Sequence, residues 1–240
     1  MNISKEDIIG AVVAADYRAA SVFELAGVDF CCNGNRSIET ACNEKGIATE
    51  DLVRRLQQTL DAPAAVGNID YASWPPDLLA DFIEKKHHRY VTAQVPVIQS
   101  LLEKIVRVHG DRHPELAEIK TEFDACAGEL TAHMKKEELM LFPFIRKMTV
   151  ANQAGNHGIS AAFGSIRNPI NVMIHEHDTE GERFRRIRQL SNGYTVPEDA
   201  CGTYRAAFAT LQAFAEDLHL HIHLENNILF PKSVEMERTR

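Results

Sequence analysis

Two stretches of this 240-residue chain each set a histidine and a glutamate four residues apart. They are Glu129-Leu-Thr-Ala-His133-Met-Lys-Lys-Glu137 and Asp217-Leu-His-Leu-His221-Ile-His-Leu-Glu225. On a helix that spacing puts imidazole and carboxylate on one face, one turn apart. Such a pair can make a salt bridge, or it can hold a cation. Leu141-Phe142-Pro143 follows the first stretch and Leu229-Phe230-Pro231 the second, so the two read as copies of one element.

The surrounding pattern decides which face is involved. The apolar seam of the first stretch runs Leu116, Ile119, Phe123, Cys126, Leu130, then His133, Glu137 and Leu141. That of the second runs Leu211, Phe214, Leu218, then His221, Glu225 and Ile228. Steps of three and four mark the core-facing side of a packed helix. A carboxylate there is costly unless it is partnered, and a metal is an economical partner. Two further helical seams carry one histidine each, His88 and His177. Four imidazoles and two carboxylates are too many for one tetrahedral zinc. They fit two metals, each with two histidines, bridged by Glu137 and Glu225, with positions left for oxo, hydroxo, water or a diatomic ligand. Bridging carboxylates with open positions in a helical bundle favour iron.

The elements that must position these groups are helices throughout. Residues 1–62 read as a small helical unit, with a capping box at Ser4 to Asp7, a helix stop at Gly27, and further helices through Ile38–Gly46 and from Thr49 to Leu60. Residues 63–76 read as a linker. Residues 77–240 read as four long helices: Asp77 to Val108 with a kink at Pro96, Pro114 to Met148, Asn168 to Leu190, and Glu198 to Pro231. The expected fold is all-α, a four-helix bundle preceded by the small amino-terminal domain.

Composition narrows the function classes. A net charge of −8 without a concentrated Lys/Arg run argues against nucleic-acid or anionic-membrane binding. No apolar run reaches the roughly 20 residues needed to span a bilayer, and the first residues lack a secretion-signal pattern, so a cytoplasmic setting is expected. Five cysteines are an odd number, and Cys31-Cys32 are adjacent, too close along the chain to favour a mutual disulfide. In an exposed turn these two thiols could bind metal, react with oxidants or nitric oxide, or exchange disulfides. Glu129 and Glu176 border the proposed site and could line a path for ions or protons. His87, His219 and His223 fall off the seams and read as solvated or supporting residues. His109, His113, His157, Cys42 and Cys201 carry no pattern of their own, and Cys126 reads as core.

The combination of Asp29-Phe30-Cys31-Cys32, Val108-His109-Gly110, His133-Met-Lys-Lys-Glu137-Glu138, Glu176-His177-Asp178 and His221-Ile-His-Leu-Glu225-Asn-Asn-Ile-Leu-Phe-Pro231 resembles a known family. It is similar to the iron–sulfur cluster repair di-iron proteins of the ScdA/RIC type, a short amino-terminal domain followed by a hemerythrin-like bundle. The resemblance implies a non-haem di-iron centre held by His88, His133, Glu137, His177, His221 and Glu225. It also implies a cytoplasmic homodimer that restores iron–sulfur proteins damaged by nitric oxide or oxidants, and matches Cys31 and Cys32 to the family's cysteines. Donation of iron is the expected activity. A nitric oxide or peroxide reductase and a gas or redox sensor are the alternatives.

Overall fold

The chain is described here by a computed structural model covering residues 2–63, 69–156 and 162–238. Four short helices come first: α1 (Ile9–Ala15), α2 (Arg18–Leu25), α3 (Ile38–Lys45) and α4 (Thr49–Asp61). Gly27 and Gly46 follow α2 and α3 with φ of +67° and +66°, left-handed stops that glycine enters without a Cβ clash. The hydroxyl of Ser37 caps α3 by accepting from the Thr40 amide. The box expected at Ser4 is only half formed. The Ser4 amide donates to Asp7 Oδ2, but Ile8 pairs with Ser37 in an isolated bridge, so α1 starts at Ile9.

Four long rods follow. The first is α5 (Pro76–Phe82), a π-helical turn (Ile83–His88) and α6 (Arg89–His109), with Pro96 inside the helical run. The second is α7 (Glu115–Lys136), a π turn (Glu137–Leu141) and α8 (Phe142–Gln153). The third is the unbroken α9 (Arg167–Leu190), and the fourth is α10 (Gly202–Leu224), a π turn (Glu225–Leu229) and α11 (Phe230–Arg238). Helix α7 packs against α6 and α9, α10 against α6, α5 against α8, and α11 against α8. No strand occurs among the described residues.

Two boundaries differ from expectation. The last rod starts at Gly202 rather than Glu198, because residues 198–199 form a turn, and it continues past Pro231 to Arg238. The second rod extends to Gln153, so Thr149 is a buried helical residue rather than the start of a loop. His157 lies outside the described residues.

The π turns of the second and fourth rods have a local cause. Phe142 N–H donates to the Glu137 carbonyl, and Phe230 N–H to the Glu225 carbonyl, each five residues back. Pro143 and Pro231 come next; they have no amide hydrogen, and in a regular helix the ring collides with the carbonyl four residues earlier. A widened turn relieves that collision, and such turns gather at functional sites.

Apolar packing falls into two clusters. One joins Ile9, Phe23, Ile38 and Leu56 of the amino-terminal helices to Ile98, Phe123, Phe184 and Phe214 of the bundle. The other gathers Leu79, Phe142, Ile145, Ile170, Leu229 and Phe230. Along the second and fourth rods, the His and Glu stretches lie between residues of the first cluster and residues of the second: Leu130 and Leu141 on one, Leu218 and Ile228 on the other.

Candidate metal centre

Each rod sends its seam histidine inward. His88, His133, His177 and His221 are buried, and so are Glu137 and Glu225. Glu137 Oε2 lies 3.4 Å from both His88 Nε2 and His133 Nε2. Glu225 Oε2 is 3.1 Å from His177 Nε2, and its Oε1 is 3.2 Å from His221 Nε2. The six side chains make two overlapping sets of donors: His88, His221, Glu137 and Glu225, then His133, His177, Glu137 and Glu225. Within each set the donor atoms lie within 4.8 Å of one another, and both carboxylates belong to both sets.

The residues fit a cation better than they fit one another. Neither oxygen of Glu137 has a hydrogen-bond partner, and His88 Nε2 and Glu225 Oε2 are also without one, all in a dry interior. Buried polar atoms are rarely left so. A charge-assisted hydrogen bond would close to about 2.7–2.9 Å, shorter than the 3.1–3.4 Å found here. His133 Nε2 and His177 Nε2 stand 3.1 Å apart, so both cannot carry a proton on that side. Converging lone pairs at such spacing suit iron, zinc or manganese.

Electrostatics tells the same story. Burial pulls His133 down, but the Glu137 carboxylate outweighs it and pushes the ring up to about 10. Burial raises Glu225, yet His221 and His177 hold it well below the usual carboxylate range. The pocket thus favours anionic carboxylates and demands positive charge beside them.

Three of these rings are oriented from behind. His88 Nδ1 meets Glu138 Oε1 at 3.1 Å, His133 Nδ1 meets Glu176 Oε2 at 2.8 Å, and His177 Nδ1 meets Asn226 Oδ1 at 2.8 Å. Nδ1–H donation to these acceptors fixes the tautomer that leaves Nε2 free to ligate. Each acceptor adjoins a seam residue in sequence: Glu138 after Glu137, Glu176 before His177, Asn226 after Glu225. One turn's neighbour on one rod therefore steadies a ring on another. Glu138 and Asn226 were not singled out from sequence, although adjacency to a seam acid was the available signal. Phe142 stacks on His88 and Phe230 on His177, with centroids 5.6 and 6.0 Å apart, which gives the repeated Leu-Phe-Pro phrase a purpose.

Other expectations change. His87 and His223 are buried, which removes the solvated alternative and leaves the supporting one. His87 Nδ1 pairs with Asp217 at 3.0 Å and its ring stacks on His221. His223 lies beneath Tyr17 and Phe30, because the amino-terminal segment covers this side of α10. His219 is half-buried beside Phe30. The turn holding Cys31 and Cys32 is not exposed: Cys31 is buried, Cys32 is half-buried, and Cys32 Sγ sits 3.3 Å from the His177 carbonyl. Its thiol neighbour and burial push the Cys31 thiol up. Glu176 bridges His133 to Lys136, whereas Glu129 is exposed and pairs with Arg183 at 2.6 Å. Cys201 and His109 form a contact of 3.2 Å that no spacing announced. Buried Glu180, one turn after His177, also escaped notice; burial pushes its carboxyl up to about 7.

Comparison with known proteins places the chain. Residues 79–233 match the hemerythrin HHE cation binding domain, and residues 5–60 match ScdA_N, a domain of unknown function. The iron-sulfur cluster repair protein YtfE of Yersinia pseudotuberculosis serotype O:1b is 34% identical over 229 residues, covering 95% of this chain and 97% of the relative. The protein of the same name from Pectobacterium atrosepticum is 33% identical over 234 residues, covering 97% and 99%. With a buried His/Glu cluster, a helical bundle and near full-length similarity, the chain belongs to the hemerythrin-like family of YtfE-type iron–sulfur cluster repair proteins.

Proposed function

We propose that His88, His133, Glu137, His177, His221 and Glu225 bind two iron ions, with Glu137 and Glu225 bridging, and that the protein donates this iron to clusters damaged by nitric oxide or oxidants. One observation carries the reading: two buried four-donor sets share both carboxylates, an arrangement suited to a pair of cations rather than one. The relatives named for cluster repair support the task, since the similarity spans nearly the whole chain. When bound, the pair supplies Lewis-acidic, redox-active cations with positions open to exchange.

The chain's own residues give the site its character. Six protein donors would hold the ions and leave positions open to exchange. Glu138, Glu176 and Asn226 retain the Nδ1 protons, so the Nε2 lone pairs stay aimed inward. Phe142 and Phe230 shield the imidazole faces of His88 and His177 from water. Glu176, which touches both a ligand ring and the surface Lys136, lies on the route for ions or protons, with Glu129 further out. The clients are damaged iron–sulfur proteins, and the working form is a cytoplasmic homodimer. No helix among the described residues is long and apolar enough to cross a membrane.

The test is reconstitution. Iron-loaded protein should rebuild a nitric-oxide-damaged cluster enzyme under anaerobic conditions, and Glu137→Leu should abolish that while the fold, followed by circular dichroism, persists. Full repair by the Glu137→Leu protein would remove the bridged pair from the explanation.

A further inference from the structure

Outside the main centre, the described residues contain one other group of potential ligands: Asp29, Cys31 and Cys32, whose donor atoms all lie within 4.8 Å of one another. We propose that these three residues form a second cation site, taking a single ferrous or similar thiophilic divalent ion. It rests on the proposed function only for the identity of the ion as iron.

The loop is built to hold both thiols together. Asp29 Oδ1 accepts the amides of Cys31 at 3.1 Å and Cys32 at 3.0 Å, which turns the two side chains to the same side despite their adjacency. Sγ···Sγ is 3.8 Å, far from the roughly 2.05 Å of a disulfide. Two sulfurs bonded at about 2.3 Å to one tetrahedral ion would stand about 3.8 Å apart, so chelation needs no rearrangement of the pair. Cys31 Sγ is 3.4 Å from Asp29 Oδ1, which adds an oxygen donor beside the sulfurs. Arg185, 2.6 Å from Asp29 Oδ2, offsets the negative charge that two thiolates and a carboxylate would bring.

The loop is also clamped to the main centre by residues that flank it. Asn226 Nδ2 donates to the Cys31 carbonyl at 3.1 Å while its Oδ1 accepts from His177 Nδ1. Asn227 Nδ2 donates to the Phe30 carbonyl at 3.1 Å. A Cβ at Gly181 would lie 2.8 Å from Cys32 Sγ, so only glycine lets the thiol approach α9 this closely. A cavity of about 610 Å³ opens on the other side, lined in part by Asp29, Cys31, Gly181, Arg185 and His219. Three protein donors leave a tetrahedral ion one further position for an exogenous ligand. The site therefore has an approach from solvent and a contact with the backbone of a ligand of the main centre. Binding releases the two thiol protons to solvent and changes no oxidation state.

Cobalt(II) is the probe, added anaerobically to the reduced full-length protein. The wild type should take up three equivalents per chain, with a near-ultraviolet thiolate-to-metal charge-transfer band that saturates at one equivalent. Cys31→Ser/Cys32→Ser should take up two equivalents and lose the band. Glu137→Gln/Glu225→Gln, which disables the main centre, should keep the band at one equivalent. If that variant does not fold, protection of Cys31 and Cys32 from maleimide by cobalt in the wild type, read by peptide mass spectrometry, gives the same answer. Absence of a band and of protection at saturating cobalt would overturn the site. So would a band at half an equivalent that fades on dilution, since two chains would then share the ion. A wild type that repairs clusters but shows no band defeats this inference alone, and a wild type that shows the band but does not repair defeats the proposed function alone.

Discussion

Glu180 offers the sharpest test of how this interior treats charge. Its carboxyl is buried on α9, neither oxygen has a hydrogen-bond partner, and Arg183 Nε approaches no closer than 3.7 Å. Burial is the main reason its pKa rises to about 7, the Glu129 carboxylate adding to the rise while Cys126 and Arg183 oppose it. Between the ordinary carboxylate value and about 7, the folded chain keeps a proton that the unfolded chain has released. Stability therefore drains away as pH climbs through that window. At about 1.4 kcal/mol per pH unit the full loss would be about 3.5 kcal/mol, and screening from the solvent side of Arg183 leaves on the order of 2 kcal/mol. Glu180→Gln keeps the shape and removes the titration. Urea unfolding of the wild type and Glu180→Gln, at matched metal load, should show the advantage of the variant growing by on the order of 2 kcal/mol from about pH 5 to about pH 8. An advantage that stays flat or shrinks over that range would refute the reasoning.

Asn226→Ala should weaken metal binding by about 10- to 100-fold, because His177 loses the acceptor that fixes its ring. Competition with a chromogenic chelator measures this, and unchanged affinity would show that the ring needs no such anchor. Cys201, exposed at the start of α10, should be the most readily alkylated thiol: contact with His109, then the Tyr204 and Thr203 amides, bring it down to about 7. Its iodoacetamide reactivity should reach half-maximum near that pH, and His109→Gln should move the midpoint up; a wild-type midpoint near the ordinary thiol value of about 8.5 would count against the pairing.

Much of the buried His/Glu cluster was legible because burial and the convergence of these side chains share one periodicity. The seam that predicts a core-facing Leu130 also predicts His133 and Glu137, and the π turn begins only at Glu137, after the informative spacing has ended. The π turns themselves were not legible, since one extra residue barely alters an apolar pattern; Pro143 and Pro231 mark two of the three described, and the turn at Ile83–His88 left no trace. The solvated alternative for His223 fails for a tertiary reason. Four rods alone would leave that face of α10 wet, but Tyr17 and Phe30 cover it. The same covering turned Cys31 and Cys32 from an expected surface turn into a docked loop. The Cys201–His109 contact joins residues 92 positions apart, beyond the reach of any local spacing.

Phe23, Ile38 and Leu56 share one oily interior with Phe123, Phe184 and Phe214. The front of the chain is therefore no detachable cap that could swing free on a tether. Cutting it away would strip Tyr17 and Phe30 from His223 and expose apolar side chains of the remaining barrel to water. Heat should dissolve both parts in a single step, because the front keeps no stock of grease apart from the one it shares.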